Sequence, residues 1–320
     1  MSEVIVNKKI LAIIGLSIYL VGYLQQEVTA QELDLSALQP WGIGEIQQTF
    51  IVSSIADSGA GTLREAIMRA NAAAGADKIV FVSENDLYNE PRTIHLDSPL
   101  PVITDHLLID GFIKEMLWKA SGVTLSGNDQ HRVLEVKENV KVRIESLSIA
   151  NGQAIQGGGI LNKGEAVIQG VSLISNNAVV DGGAIYNSGR LYVVNSTLAN
   201  NSAGNSGAGL FNAAGAVITN ATFAWNSADL GGALYNQSYI QVNNSILAAS
   251  ENTVDCVSLV SFDSPDNRNI IQSQTGCGAS YSSDNPRLSS LSYYNGPTKT
   301  IAINGNSPAI NRGSNDAAVD

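Results

Sequence analysis

Charge is what this sequence has least of. Only 15% of its 320 residues are Asp, Glu, Lys or Arg, and they leave a net charge of −11. No basic patch interleaved with aromatics stands out from that acidic background, which excludes a phosphate-backbone partner and so nucleic acid. Aromatics are scarce at 6% and prolines number 8. The three histidines, His95, His106 and His131, lack metal-ligand spacing. The glycines at Gly157–Gly159 are not followed by the Lys-Ser and helix of a phosphate loop, and the calcium-binding nonapeptide repeat is missing. No metal and no cofactor are expected.

Long apolar runs are missing too, with one exception. Lys8 and Lys9 precede Ile10–Leu24 (ILAIIGLSIYLVGYL), and QQEVTA follows, with Val28 and Ala30 at the small-residue positions before a cut. This is a signal-peptide pattern, cleaved after Ala30. The alternative, an uncleaved anchor, needs a run of about 20 residues. No second run of spanning length follows, so no membrane span is expected in the mature chain, and the protein is expected outside the cell or on its surface. Only two cysteines occur, Cys256 and Cys277. An even count in an exported chain indicates a disulfide, the alternative being two buried thiols. A bridge there closes a loop worth about 3 kcal/mol.

What the chain has in quantity is repetition. GGGILN (Gly157–Asn162), GGAIYN (Gly182–Asn187), GAGLFN (Gly207–Asn212) and GALYN (Gly232–Asn236) end on asparagines 25, 25 and 24 residues apart. A fixed step of that size marks a repeat architecture. Apolar residues recur in columns: Ile160, Ile185, Leu210 and Leu234; Ile168, Val193, Ile218 and Val242; Leu173, Leu198, Phe223 and Leu247. Each lies in a short alternating run, the period of a strand. Three short strands per copy bury no core alone, but stacked coils do. The reading is all-β: a parallel β-helix of about 25 residues per coil, right-handed by the crossover rule for parallel strands. Six or seven coils fit between residues 79 and 255.

Asparagine recurs with the same step. Asn151, Asn176, Asn201 and Asn226 form one series and Asn162, Asn187, Asn212 and Asn236 another. Both are expected to stack and bond along the axis. Asn195, Asn220 and Asn244 suit left-handed turns. Asn195, Asn200, Asn220, Asn236 and Asn243 begin N-x-S/T triplets, which turn composition generates by itself. Upstream, the strands at Thr93, Leu107, Val123, Arg132 and Val142 read as earlier coils. Thr62–Gly75 reads as a helix, with Thr62 and Glu65 as a capping box and Gly75 as its stop. Leu63, Ala66, Ile67 and Ala70 share one face. A solenoid's first coil leaves its core open, and this helix is expected to cover it.

DSGAGTLREAIMRANAAAGADKIVF (Asp57–Phe81) and LPVITDHLLIDG (Leu100–Gly111) resemble the opening of secreted bacterial right-handed β-helix proteins. Asn243–Ala248, Asp255–Cys256, Gly276–Cys277, Asn295–Ile310 and Gly313 resemble the choice-of-anchor Q domain, although Asn311 and Arg312 depart from its usual ending. The GGA repeats and Phe223 to Asn226 bear a weaker likeness to polymorphic outer-membrane autotransporter passengers. The resemblance implies fold and export, not an activity. No anchor or barrel pattern precedes Asp320, so the expectation is a released protein or a truncated sequence.

The expected organisation is a signal peptide (1–30), a linker (31–48), the capping helix and β-helix (49–255), and an irregular segment packing on the solenoid (256–320). Glu165, Asp181, Asp229 and Asp255 occupy different positions in the repeat, so no acidic ladder forms for glycoside hydrolysis. Lys163 and Arg190 read as near-isolated turn charges, so no catalytic residue is assigned. Tyr186, Phe211 and Tyr235 follow the inward residue of each copy and are expected to point outward, as an aromatic strip that either contacts glycans or stacks on itself. The function expected is adhesive or glycan-contacting, in a monomer whose partners are glycans or other surface polymers. The alternative is a polysaccharide lyase or glycoside hydrolase.

Overall fold

Ile160, Ile185, Leu210 and Leu234 are in register on neighbouring parallel strands, and all four are fully buried. That single file is the architecture in miniature. The computed structural model describes residues 43–82, 92–113, 122–264 and 268–314, all within the unit Ser36–Asp320. The expected signal peptide, its cut after Ala30 and most of the expected linker lie outside the described residues.

Among the described residues three long parallel sheets and a short fourth run along the chain. The first has eight strands, from Ile46–Val52 and Ala76–Phe81 to Gly215–Thr219 and Ile240–Asn243. The second has seven, from Leu134–Val136 to Gln274–Thr275. The third has eight, from Arg92–His95 to Ile270–Ile271. Each strand pairs with its equivalent one coil away, so the chain is an all-β parallel β-helix. Ile168, Val193, Ile218 and Val242 file inward from the first sheet, and Leu173, Leu198, Phe223 and Leu247 from the third. All eight are fully buried. Chemically similar side chains one strand spacing apart pack closely on one another.

The structure departs from the expected organisation in three places. The first strand begins at Ile46, inside the expected linker. The ladders continue past residue 255, because Cys256–Ser258, Ile270–Ile271 and Gln274–Thr275 still pair in parallel with preceding coils. The step is no longer constant there, but Cys256 and Ile271 still continue the inward files of Leu234 and Leu247. Finally, some coils carry an additional short wall, Gln153–Gln156, Asn177–Asp181 and Ser202–Ala203, between the third and second sheets.

The helix spans Leu63–Ala72. The Thr62 hydroxyl accepts from the Glu65 amide at 3.3 Å, and the Glu65 carboxylate accepts from the Gly61 amide at 2.6 Å. The reciprocal box is thus displaced by one residue from its ideal N-terminal partner. Leu63, Ala66, Ile67 and Ala70 are its buried residues, joined to the solenoid core with Phe50 and Val52.

Beyond the coils, Leu288–Ser292 and Thr300–Ile303 form an antiparallel hairpin that, among the described residues, pairs with no other strand. Cys256 and Cys277 are joined by a disulfide. Among the described residues no helix is long and apolar enough to cross a membrane.

Candidate functional site

The outward file of the second sheet is built by the turn that precedes it. Gly182 adopts φ +70°, and a Cβ there would lie 2.5 Å from the Ile185 carbonyl oxygen and 2.9 Å from Tyr186 Cα. Only glycine allows the chain to fold back so closely. The next residues are Gly183 and Ala184, then Ile185 inward and Tyr186 outward. The same turn recurs at Gly157, Gly207 and Gly231, each with positive φ. It sets Glu135, Leu161, Tyr186, Phe211, Tyr235, Val257 and Thr275 in register, one per coil.

The three rings lie nearly parallel. Tyr186 and Phe211 have centroids 4.9 Å apart at an interplanar angle of 7°, and Phe211 and Tyr235 are 5.4 Å apart at 12°. Their faces are therefore turned to one another along the axis. Phe211 is only 5% exposed, while Tyr186 and Tyr235 are half-buried. Neither face of Phe211 is free for a sugar ring; what the file presents to solvent is ring edges. At its Glu135 end, that carboxylate is bonded by Arg132 at 2.5 Å and by Lys163 at 2.8 Å. Lys163, expected to be a near-isolated turn charge, is therefore part of a three-residue ion cluster.

Both asparagine series fall at corners of the coil. Asn162 donates to Asn187, Asn187 to Asn212, and Asn212 to Asn236, each at 2.7 Å, and all four side chains are fully buried. Asn176 donates to Asn201 and Asn201 to Asn226, each at 3.0 Å. Asn151 does not join them. The step to the next coil is one residue shorter here, with Ser148 opposite Ser172 and Gln153 opposite Asn177. Gly152 therefore aligns with Asn176, and its amide donates to the Asn176 Oδ1 at 2.9 Å. Asn151 stands instead at the left-handed corner, φ +51°, level with Ser175 and Asn200. A constant step of 25 placed it one position off.

The carboxylates are spread among structural tasks. Asp181 accepts from Asn205 at 3.1 Å. Asp255 accepts from the Ser250 amide at 2.8 Å and the Ser273 hydroxyl at 2.6 Å. Among the described residues no three of His, Cys, Asp and Glu cluster as a metal site would need. His95 faces Asn128 at 3.1 Å, and the His106 Nδ1 accepts from the Lys141 amide at 3.1 Å.

Two buried charges have no counterpart in the sequence reading. Asp77 points into the core, in file with Leu107, Val142 and Ala166. Its Oδ1 accepts from the Gln48 amide at 3.1 Å, while Oδ2 has no partner. Burial raises its pKa above the ordinary aspartate value, the Gln48 amide opposes this, and nearby Asp105 adds to it. Arg143, on the outward side of the first sheet, is 2% exposed and bonds Glu145 and the Gln169 side chain. Burial lowers its pKa, against the pull of Glu145 and Asp110.

No family model matches the chain, and no curated protein matches it. Among solved structures it is similar to that of Jun a 1, the major allergen from cedar pollen. The likeness covers 80% of this chain and 85% of that one, at 15% identity and a TM-score of 0.32. The assignment as a parallel β-helix rests on this chain's own strand pairing.

Proposed function

We propose that this is an exported β-helical protein whose task is contact with glycans or other surface polymers, made edge-on along the outward file of the second sheet. The observation that carries the reading is the ring stack itself. Tyr186 and Tyr235 flank Phe211 in register, so their hydroxyls project two coils apart, about 10 Å at the usual strand spacing. Phenol hydroxyls donate and accept, as a sugar's hydroxyls do, and the edges between them are apolar. Export is supported by the disulfide together with the leader-like residues 1–30.

The test is a glycan array probed with residues 31–320, with polysaccharide lyase and hydrolase assays run beside it. Binding to at least one glycan class, weakened at least five-fold by Tyr186→Phe with Tyr235→Phe, is the expected result. An array with no signal overturns the reading. Turnover of a polysaccharide favours the alternative of an enzyme.

A further inference from the structure

The segment Asn295–Ile310, singled out in the sequence by resemblance, builds the turn and second strand of the C-terminal hairpin. That hairpin lies over the outer face of the third sheet. Two outward files make this face. One consists of hydroxyls, Thr124, Ser148, Ser172, Thr197 and Thr222; the other, Ala150, Ile174, Ala199, Ala224 and Ala248, is mostly methyls. Ile301 of the hairpin packs on Ala199 and Ala224, with Leu288, Leu291 and Trp225 against the same cluster. Toward the earlier coils, the Thr298 hydroxyl donates to the Gly170 carbonyl at 3.2 Å. The Tyr293 phenol lies beside the Thr124 side chain, and burial raises its pKa. A Cβ on Gly122 would fall 1.7 Å from the Pro297 carbonyl oxygen, so only glycine admits the turn there. Beyond the hairpin, Asn244 and Ser314 exchange two bonds, at 2.9 and 2.8 Å.

Two features set this element apart from the coils. Its backbone pairs only with itself, and a two-stranded hairpin is marginal alone, so it is held by side chains. One residue packed against its contact cluster, Trp225, has a strained backbone. Asn151, Ser175, Asn200, Trp225 and Ala249 occupy one left-handed corner position in successive coils. Trp225, at φ +55°, is the bulky exception in a conformation that small or amide side chains tolerate. It packs against the cluster in which Ile301 of the hairpin meets Ala199 and Ala224.

We infer that the C-terminal hairpin is a releasable strap, anchored by Trp225, which opens as a unit from a solenoid that stays folded and so uncovers the flat hydroxyl-and-methyl face of the third sheet. Its occupant in the closed state is the chain's own Leu288–Ile303 segment. Local opening of this kind requires few backbone bonds to the body, and among the described residues the two strands of the hairpin pair only with each other.

Hydrogen exchange with mass readout on the full chain in mild denaturant tests this. Amides of 288–303 are expected to exchange at least ten-fold faster than those of 185–248. Trp225→Ala, whose backbone geometry Ala249 already adopts at φ +58°, is expected to speed the hairpin at least ten-fold further while leaving 185–248 unchanged. Trp225→Phe, which keeps a ring on the hairpin, is expected to stay within three-fold of wild type. Exchange of 288–303 in step with the coils, or acceleration of both together by Trp225→Ala, overturns the proposal.

Discussion

Asn162 donates from Nδ2 to the Oδ1 of Asn187, one coil further along, at 2.7 Å. The same bond repeats from Asn187 to Asn212 and from Asn212 to Asn236, and passes on to the Ser258 hydroxyl at 2.8 Å. The chain of amides has one direction and a defined beginning. The Asn162 Oδ1 accepts nothing, because Val136 occupies the equivalent place in the preceding coil. Each bond polarises the next in a region shielded from water.

Breaking that series in its middle is predicted to cost more than trimming its start. Asn187→Ala strands the Asn212 Oδ1 and frees the Gly215 carbonyl from a donor at 3.2 Å, for a loss of about 2–4 kcal/mol. Asn162→Ala removes an amide whose oxygen is already unpaired and is expected to cost less. Asn187→Asp keeps an acceptor but loses every donor, and is expected to be worse than alanine. Urea unfolding of the three variants orders them.

The aromatic file separates stability from binding. Phe211→Ala opens a void between two rings and is expected to cost about 3–4 kcal/mol. Tyr186→Phe and Tyr235→Phe keep the stack and are expected to change stability by less than about 0.5 kcal/mol. Thermal unfolding supplies the first comparison, and glycan binding by the folded phenylalanine variants supplies the second.

The disulfide spans 21 residues of sequence and ties the strand Cys256–Ser258 to the turn after Gln274–Thr275. Cys256→Ser with Cys277→Ser is expected to lower stability by about 3 kcal/mol. A reductant is expected to lower the thermal midpoint of the wild type and leave that of the double variant unchanged.

Asp77 gives a pH dependence of determined sign. Its folded pKa is raised, chiefly by burial, so the folded state favours the neutral carboxyl. The stabilising contribution is complete below the ordinary aspartate value of about 3.9 and is lost as pH rises through the folded value. Above that range the buried carboxyl, with one oxygen unpartnered, no longer contributes in full. Asp77→Asn is therefore expected to unfold at higher temperature than wild type at pH 7, with the difference closing by pH 3. Equal gaps at both values sink the assignment.

Much of the fold was legible in the sequence because a solenoid makes its long-range contacts between equivalent positions. Ile160 meets Ile185 for the same reason that Ile185 meets Leu210, so one period predicts every neighbour in the file. The helix face was legible as well, since Leu63, Ala66, Ile67 and Ala70 follow helical spacing. Asn151 was misplaced because its coil is one residue short further on, where Gln156 pairs with Asp181 although Ala154 pairs with Ala178, a slip that a constant step hides. The coils after residue 255 were missed because the constant step breaks there, although Cys256 and Ile271 still continue the files of Leu234 and Leu247 into the core.

By itself the sequence determined the period, the inward columns, the asparagine corners and the candidate aromatic file, all of them properties of local order repeated. Only the tertiary structure decided which way the rings face, that Asp77 is turned into the core, and that the C-terminal hairpin lies on the third sheet. Those outcomes depend on contacts between segments that share no period. Tyr293 reaches Thr124 and Thr298 reaches Gly170 across most of the solenoid, and no local propensity encodes a meeting of that kind.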